Sequence, residues 1–144
     1  MAAVLCRLPA MQARCQCGGL SAQIDDGAQA MTVLCHCLDC QRRTGSPFGV
    51  MAYFPREAVT FSGPARDYER KTDQGDIYTN GFCPCCGSTV YTLPARYPDM
   101  IGIAVGALAN PHFPPPDRSV FEQSRHSWVG LSIGMPAHSR GRDT

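Results

Sequence analysis

Hydrophobic positions along this 144-residue chain fall in short runs rather than long helical stripes. Leu20–Ile24, Met31–Leu34, Gly49–Phe54, Val59–Phe61, Ile77–Phe82, Thr89–Leu93, Ile101–Val105 and Val120–Glu122 draw on Val, Ile, Thr, Tyr and Phe. Those residues suit a pleated, half-buried surface. Turn-forming clusters separate the runs, among them Asp25-Asp26-Gly27, Ser62-Gly63-Pro64 and Asn80-Gly81. Only Leu38–Thr44 reads as helical, with Gly45 as its terminator. The pattern predicts a mainly β protein with one or two short helical turns.

Composition narrows this to a single folded unit. Hydrophobic residues make up 44% and charged residues 17%, a globular balance, and the length suits one domain with a real core. Residues 1–13 read as a loosely ordered lead-in, 14–133 as the domain and 134–144 as a polar, frayed tail. Asn110–Asp117 is a loop stiffened by its prolines. Thirteen basic side chains face twelve acidic ones, with no basic run, which argues against nucleic acid or an anionic membrane as partner. Met1–Leu5 before Cys6 superficially suggests a lipid-attachment signal. Its apolar run is short and Arg7 follows at once, so the expected location is cytoplasmic.

A reducing compartment changes how nine cysteines are read, because thiols there more often serve metal or redox chemistry than disulfides. Seven form three clusters: Cys15-x-Cys17, Cys35-His36-Cys37-x-x-Cys40 and Cys83-x-x-Cys86. Zinc takes four protein ligands in a structural site and typically three in a catalytic one, and seven divides accordingly. The knuckles Cys15/Cys17 and Cys83/Cys86, each followed by glycine, pair as one closed site. Cys35, Cys37 and Cys40, at a strand end and on one face of a helical turn, form a second site with an open position. Spacing alone leaves a second closed site open, with Cys85, Cys6 or His36 as fourth ligand. Cys85 reads more simply as a spare thiol, Cys6 as unused, and His36 as pointing away from the metal.

Other side chains have a functional and a plain reading. Arg42 and Arg43 could hold a substrate carboxylate but also fit a solvated helical turn. Trp128 could wall a pocket, yet a lone tryptophan is usually core. Phe48 and Phe82 are expected to pack. His112 and His126 could reach the open position from late loops, and Asp39 is expected to cap the short helix.

In order along the chain, Cys15-Gln-Cys17-Gly18, Cys35-His36-Cys37-x-x-Cys40-Gln41-Arg42-x-x-Gly45, Gly81-Phe82-Cys83-x-x-Cys86-Gly87-Ser88, Gly106-x-Leu108 and Trp128 resemble the glutathione-dependent formaldehyde-activating enzyme (GFA) family. That family shares its domain with centromere protein V. The resemblance implies an Mss4-like, tent-shaped fold of twisted antiparallel sheets tied by a structural zinc on Cys15, Cys17, Cys83 and Cys86. It implies a labile catalytic zinc on Cys35, Cys37 and Cys40. The implied reaction joins formaldehyde to glutathione as S-hydroxymethylglutathione, classified in reverse as a carbon–sulfur lyase, so the expected partners are a small thiol and an aldehyde. A zinc-stabilised β module that binds a protein partner without catalysis is the alternative.

Overall fold

The computed structural model of the protein describes residues 10–130 and 134–144. Cys6 lies outside them. Among the described residues, ten strands follow one another as β1 (Met11–Arg14), β2 (Ser21–Ile24), β3 (Met31–Cys35), β4 (Gly49–Pro55), β5 (Val59–Ser62), β6 (Arg66–Lys71), β7 (Ile77–Phe82), β8 (Thr89–Pro94), β9 (Met100–Ala104) and β10 (Arg118–Val120). One α-helix, α1 (Leu38–Thr44), lies between β3 and β4, and three short 3-10 turns occupy Arg56–Ala58, Val105–Leu108 and Glu122–Ser124. The architecture is mainly β, as the run pattern predicts.

Two sheets divide the strands. A three-stranded sheet has the order β1-β2-β5, and a seven-stranded sheet has the order β10-β3-β4-β9-β8-β7-β6. Every pairing is antiparallel except β10 with β3. The core unites the sheets through Ala13, Ala22 and Ile24 from the smaller and Ala52, Phe54, Ile101 and Ile103 from the larger, all virtually inaccessible. Side chains alternate between the two faces of a strand, and register sets the pairs Ala52–Ile103 and Phe54–Ile101 side by side. Burying each Phe or Ile stabilises the fold by about 1.5–3 kcal/mol.

Two strands escape the run pattern. β1 begins at Met11, inside the stretch expected to be a loose lead-in. Its four residues place only Ala13 in the core, but the ladder from Met11–Ile24 to Arg14–Ser21 supplies its order. β6 reads Arg-Asp-Tyr-Glu-Arg-Lys and is almost wholly exposed. It is an edge strand held by β7, where charge discourages pairing with another chain.

Three further expectations are corrected. Asn80-Gly81 is not a turn but the interior of β7. Glycine fits there because a Cβ would run into the Tyr91 ring. Residues 136–140 are tied down, with the Ser119 amide donating to Pro136 (2.9 Å) and the His138 amide to Ser119 (2.9 Å). The exposed side of β10 needs partners for its backbone groups, and the expected frayed tail supplies them. Trp128 is 71% exposed rather than core, and its neighbour Val129 is the buried anchor.

The Gly81–Tyr91 packing yields a direct test. Gly81→Ala is expected to lower unfolding stability by about 1–3 kcal/mol through overpacking, measurable by urea denaturation. A variant as stable as the parent would mean that the Tyr91 ring moves aside freely.

Candidate metal centres and the groove between them

The first cysteine cluster stands where the two sheets meet. Cys15 follows β1 of the small sheet, and Cys83 follows β7 of the large one. The sulfurs of Cys15, Cys17, Cys83 and Cys86 all lie within 4.8 Å of one another, with Cys15–Cys17 and Cys17–Cys83 each at 3.6 Å. A disulfide needs about 2.05 Å, so these are separate thiols. Four sulfurs on a tetrahedron around zinc at about 2.3 Å would stand about 3.8 Å apart. The donor set fits such an ion.

Local turns aim these sulfurs. Gly18 and Gly87 both take left-handed backbone, at φ +81° and +78°, which closes each knuckle just after its second cysteine. The Leu20 amide donates to the Cys15 sulfur at 3.2 Å. The Ser88 hydroxyl, 3.3 Å from Cys86, is the main reason that thiol is held down to about 5. Cys17 is helped by the Gly19 amide, yet the sulfurs of Cys15, Cys83 and Cys86 push it up to about 12. Crowded sulfurs share protons unequally, and a cation among them would let all four ionise.

The second cluster is local. Cys35 ends β3, Cys37 caps α1 and Cys40 lies in its first turn. Their sulfurs also fall within 4.8 Å of one another, and no fourth donor joins them among the described residues. The Cys37 sulfur accepts from the Cys40 amide at 3.3 Å, so it performs the capping expected of Asp39. Asp39 instead pairs with Arg70 of β6 at 3.4 Å. Hydrogen bonds from Cys35 and Cys37, with help from Arg43, hold the Cys40 thiol down to about 3. The sulfurs of Cys37 and Cys40, together with burial, push Cys35 upward.

The neighbouring candidates separate clearly. His36 is fully buried and points away from the cluster, its Nε2 3.0 Å from the Ser119 hydroxyl of β10. Burial lowers its pKa, and it serves to fasten β10 beside the Cys-x-Cys corner. His126 bonds Gln41 at 3.1 Å, and His112 is exposed. Neither joins a cluster. Cys85 is exposed and stands outside both groups. Phe48 and Phe82 are partly buried, and Phe48 meets His36 edge-on.

Two features near the second cluster are absent from the sequence reading. Register puts Cys35, Gly49, Met51 and Tyr53 on one face of the large sheet. There Tyr53 and Tyr78 share a 2.6 Å hydrogen bond, and Tyr78 donates to Thr92 at 2.9 Å. Burial pushes both phenols above their usual range. Period-two alternation along Gly49–Phe54 could have placed Tyr53 with the ligand face. The second feature is a groove of about 750 Å³ that runs from the first cluster to the end of α1, with none of Cys35, Cys37 and Cys40 in its lining. Its lining includes Cys15 and Cys86 at one end and Arg43, Thr44 and Gly49 at the other. Arg42 turns toward a smaller hollow with Gln41 and His126.

Two sheets meeting at a four-thiol cluster, with a three-thiol cluster at a strand–helix corner, define a class of small β proteins equipped to hold metal. The chain belongs to the glutathione-dependent formaldehyde-activating enzyme family, whose sequence model matches residues 10–124. Among curated proteins, no relative matches significantly. A crystal structure of a Rhodobacter sphaeroides protein is similar in fold, with a TM-score of 0.55 and 21% identity, covering 70% of this chain and 92% of that one. Family membership supports a GFA-type function in general terms, with glutathione and formaldehyde as the implied small molecules. No helix among the described residues is long and apolar enough to cross a membrane.

Proposed function

We propose that the protein is a zinc-dependent enzyme that joins a small thiol to an aldehyde, in the manner of S-hydroxymethylglutathione formation and its lyase reversal. The observation that carries this reading is the contrast between the two clusters. Cys15, Cys17, Cys83 and Cys86 offer a complete ligand set spanning 66 positions from Cys17 to Cys83. Cys35, Cys37 and Cys40 offer three sulfurs from neighbouring positions at one strand–helix corner. The first set suits a structural zinc, and the second suits a catalytic zinc with a position free for exchange.

Zinc bound there would supply a Lewis acid that lowers the pKa of a thiol or polarises a carbonyl oxygen. The chain's own residues prepare the rest. Cys37 fixes the helix start, and His36 with Ser119 locks the backbone between two ligands. Arg43 places positive charge beside Cys40 and so favours the thiolate form of that one sulfur. In the balanced reaction the thiol sulfur bonds the aldehyde carbon while the thiol proton is delivered to the aldehyde oxygen. A cytoplasmic setting, with its abundant free thiols, suits this chemistry.

Metal analysis and a rate measurement test the reading together. Elemental analysis is expected to find two zinc ions per chain, one of them lost first to a mild chelator. Exchange NMR with carbon-13 formaldehyde and glutathione is expected to show adduct exchange accelerated by the zinc-loaded protein and restored to background by that chelation. Two equally tight zinc ions with no acceleration would favour the non-catalytic, partner-binding module.

A further inference from the structure

We propose that Tyr53 is a further catalytic residue: its hydroxyl, backed by Tyr78 and Thr92, donates a hydrogen bond to the aldehyde oxygen as the carbon–sulfur bond forms. This deepens the function proposed above and rests on it. Register sets Cys35 opposite Gly49, Tyr53 opposite Gly102, and Gly102 opposite Thr92. Cys35, Tyr53 and Thr92 therefore share one face of the large sheet. Gly102 makes the hydroxyl row possible. A Cβ there would run into the Thr92 hydroxyl and stand 3.0 Å from Cε1 of Tyr53, so the Tyr53 ring crosses β9 over a bare backbone.

The second cluster stands over this face. In a flat sheet, five strand spacings of about 4.8 Å would separate β3 from β6. Yet Asp39, between Cys37 and Cys40, pairs with Arg70 of β6, whose guanidinium lies 4.8 Å from the centre of the Tyr78 ring. The sheet thus curls toward α1, with Tyr78 beneath the ion pair. Burial pushes both phenols above their usual range, and the Cys40 sulfur adds to that rise in each, which puts the hydroxyls within electrostatic reach of the ligands. They stay protonated at neutral pH, and a donor in a dry site is worth far more than one in water.

The row can also be turned toward a substrate. Tyr78 gives its one proton to Thr92, so the 2.6 Å bond is donated by Tyr53. Rotating three C–O bonds reverses the order to Thr92, Tyr78, Tyr53 and frees the Tyr53 proton for an outside acceptor. Each bond in such a chain strengthens the next. The proton balance of the addition is unchanged, since Tyr53 keeps its proton while the thiol proton ends on the aldehyde oxygen. Folding alone does not use all the polarity here. Asn80, opposite Thr92, has a buried Oδ1 with no partner among the described residues.

The competing role is structural, in which the row merely ties β4, β7 and β8 together. Two measurements on the zinc-loaded protein separate the roles. Tyr53→Phe is expected to lower kcat about a hundredfold with the thiol KM, zinc content and melting temperature near the parent's. Tyr78→Phe, one bond further back, is expected to cost about tenfold. Carbon-13 NMR of ζ-labelled tyrosine is expected to show the Tyr53 resonance moving with S-hydroxymethylglutathione and not with glutathione alone. Parental kcat in Tyr53→Phe, losses that merely track melting temperature, or an unmoved Tyr53 resonance would each overturn the assignment. Should Tyr53→Phe fail to fold, Thr92→Val identifies the row through its own resonance shifts, and the adduct titration on the parent still decides. The adduct forms in solution unaided, so a moved resonance without rate acceleration would sink the enzymatic reading alone. Acceleration with an unmoved resonance would sink only the role of Tyr53.

Discussion

Replacing Cys83 with serine is expected to abolish cooperative folding. The argument lies in connectivity. Cys15 and Cys17 hang from the small sheet, and Cys83 and Cys86 from the turn after β7 in the large one. A metal on these four sulfurs would clamp the sheets at one edge of their shared core. Cys15 and Cys83 are themselves part of that core, each 1% exposed. Structural zinc in small domains contributes about 10–16 kcal/mol of apparent binding energy, as large as the whole net stability of a typical domain at about 5–15 kcal/mol. Serine leaves an oxygen that binds zinc poorly and a polar atom buried among sulfurs. The expected readout is loss of the sharp thermal transition, with insoluble protein on expression and zinc content falling by one per chain. A Cys83→Ser protein that melts like the parent would show that the sheets hold together through packing alone.

Most of the fold was legible because its strands carry their own signal. Runs such as Met31–Leu34 and Gly49–Phe54 alternate or concentrate β-branched and aromatic residues, and they became β3 and β4 with only end residues added. β6 was illegible for a physical reason: an exposed edge strand needs only backbone partners, so nothing in Arg66–Lys71 had to be apolar. Asn80-Gly81 misled because glycine in a turn and glycine beneath an aromatic ring look identical until the Tyr91 register is known. The sulfur groups could be read from spacing, since neighbouring positions aim together. The groove could not, because Arg14 and Arg43 are brought to one cavity only by the packing of β1 beside the turn Val105–Leu108 and of α1 against β4.

Replacing Cys40 with serine is expected to produce the opposite dissociation, a folded protein without the second metal or the activity. Cys35, Cys37 and Cys40 are joined by a single short stretch of chain, so a metal on them closes almost no loop and restrains little of the unfolded ensemble. The helix that carries Cys40 has other supports. Cys37 still caps its start, Gly45 ends it in left-handed backbone at φ 72°, and the Thr44 hydroxyl bonds the Cys40 carbonyl at 2.9 Å. β3 keeps its neighbours β4 and β10 on either side. The melting temperature is therefore expected to move by no more than about 5 °C, equivalent to roughly 1–2 kcal/mol in a chain of this size. Adduct formation should fall more than about a hundredfold, since disturbing even the outer support of a metal ligand costs 10- to 100-fold. Elemental analysis should still find the tightly held zinc. A collapse of the fold in Cys40→Ser would mean that both clusters are structural, and the open position would lose its claim to chemistry. Retained activity would place the reacting centre elsewhere on the sheet face, where Tyr53 and Tyr78 stand nearest in chemistry.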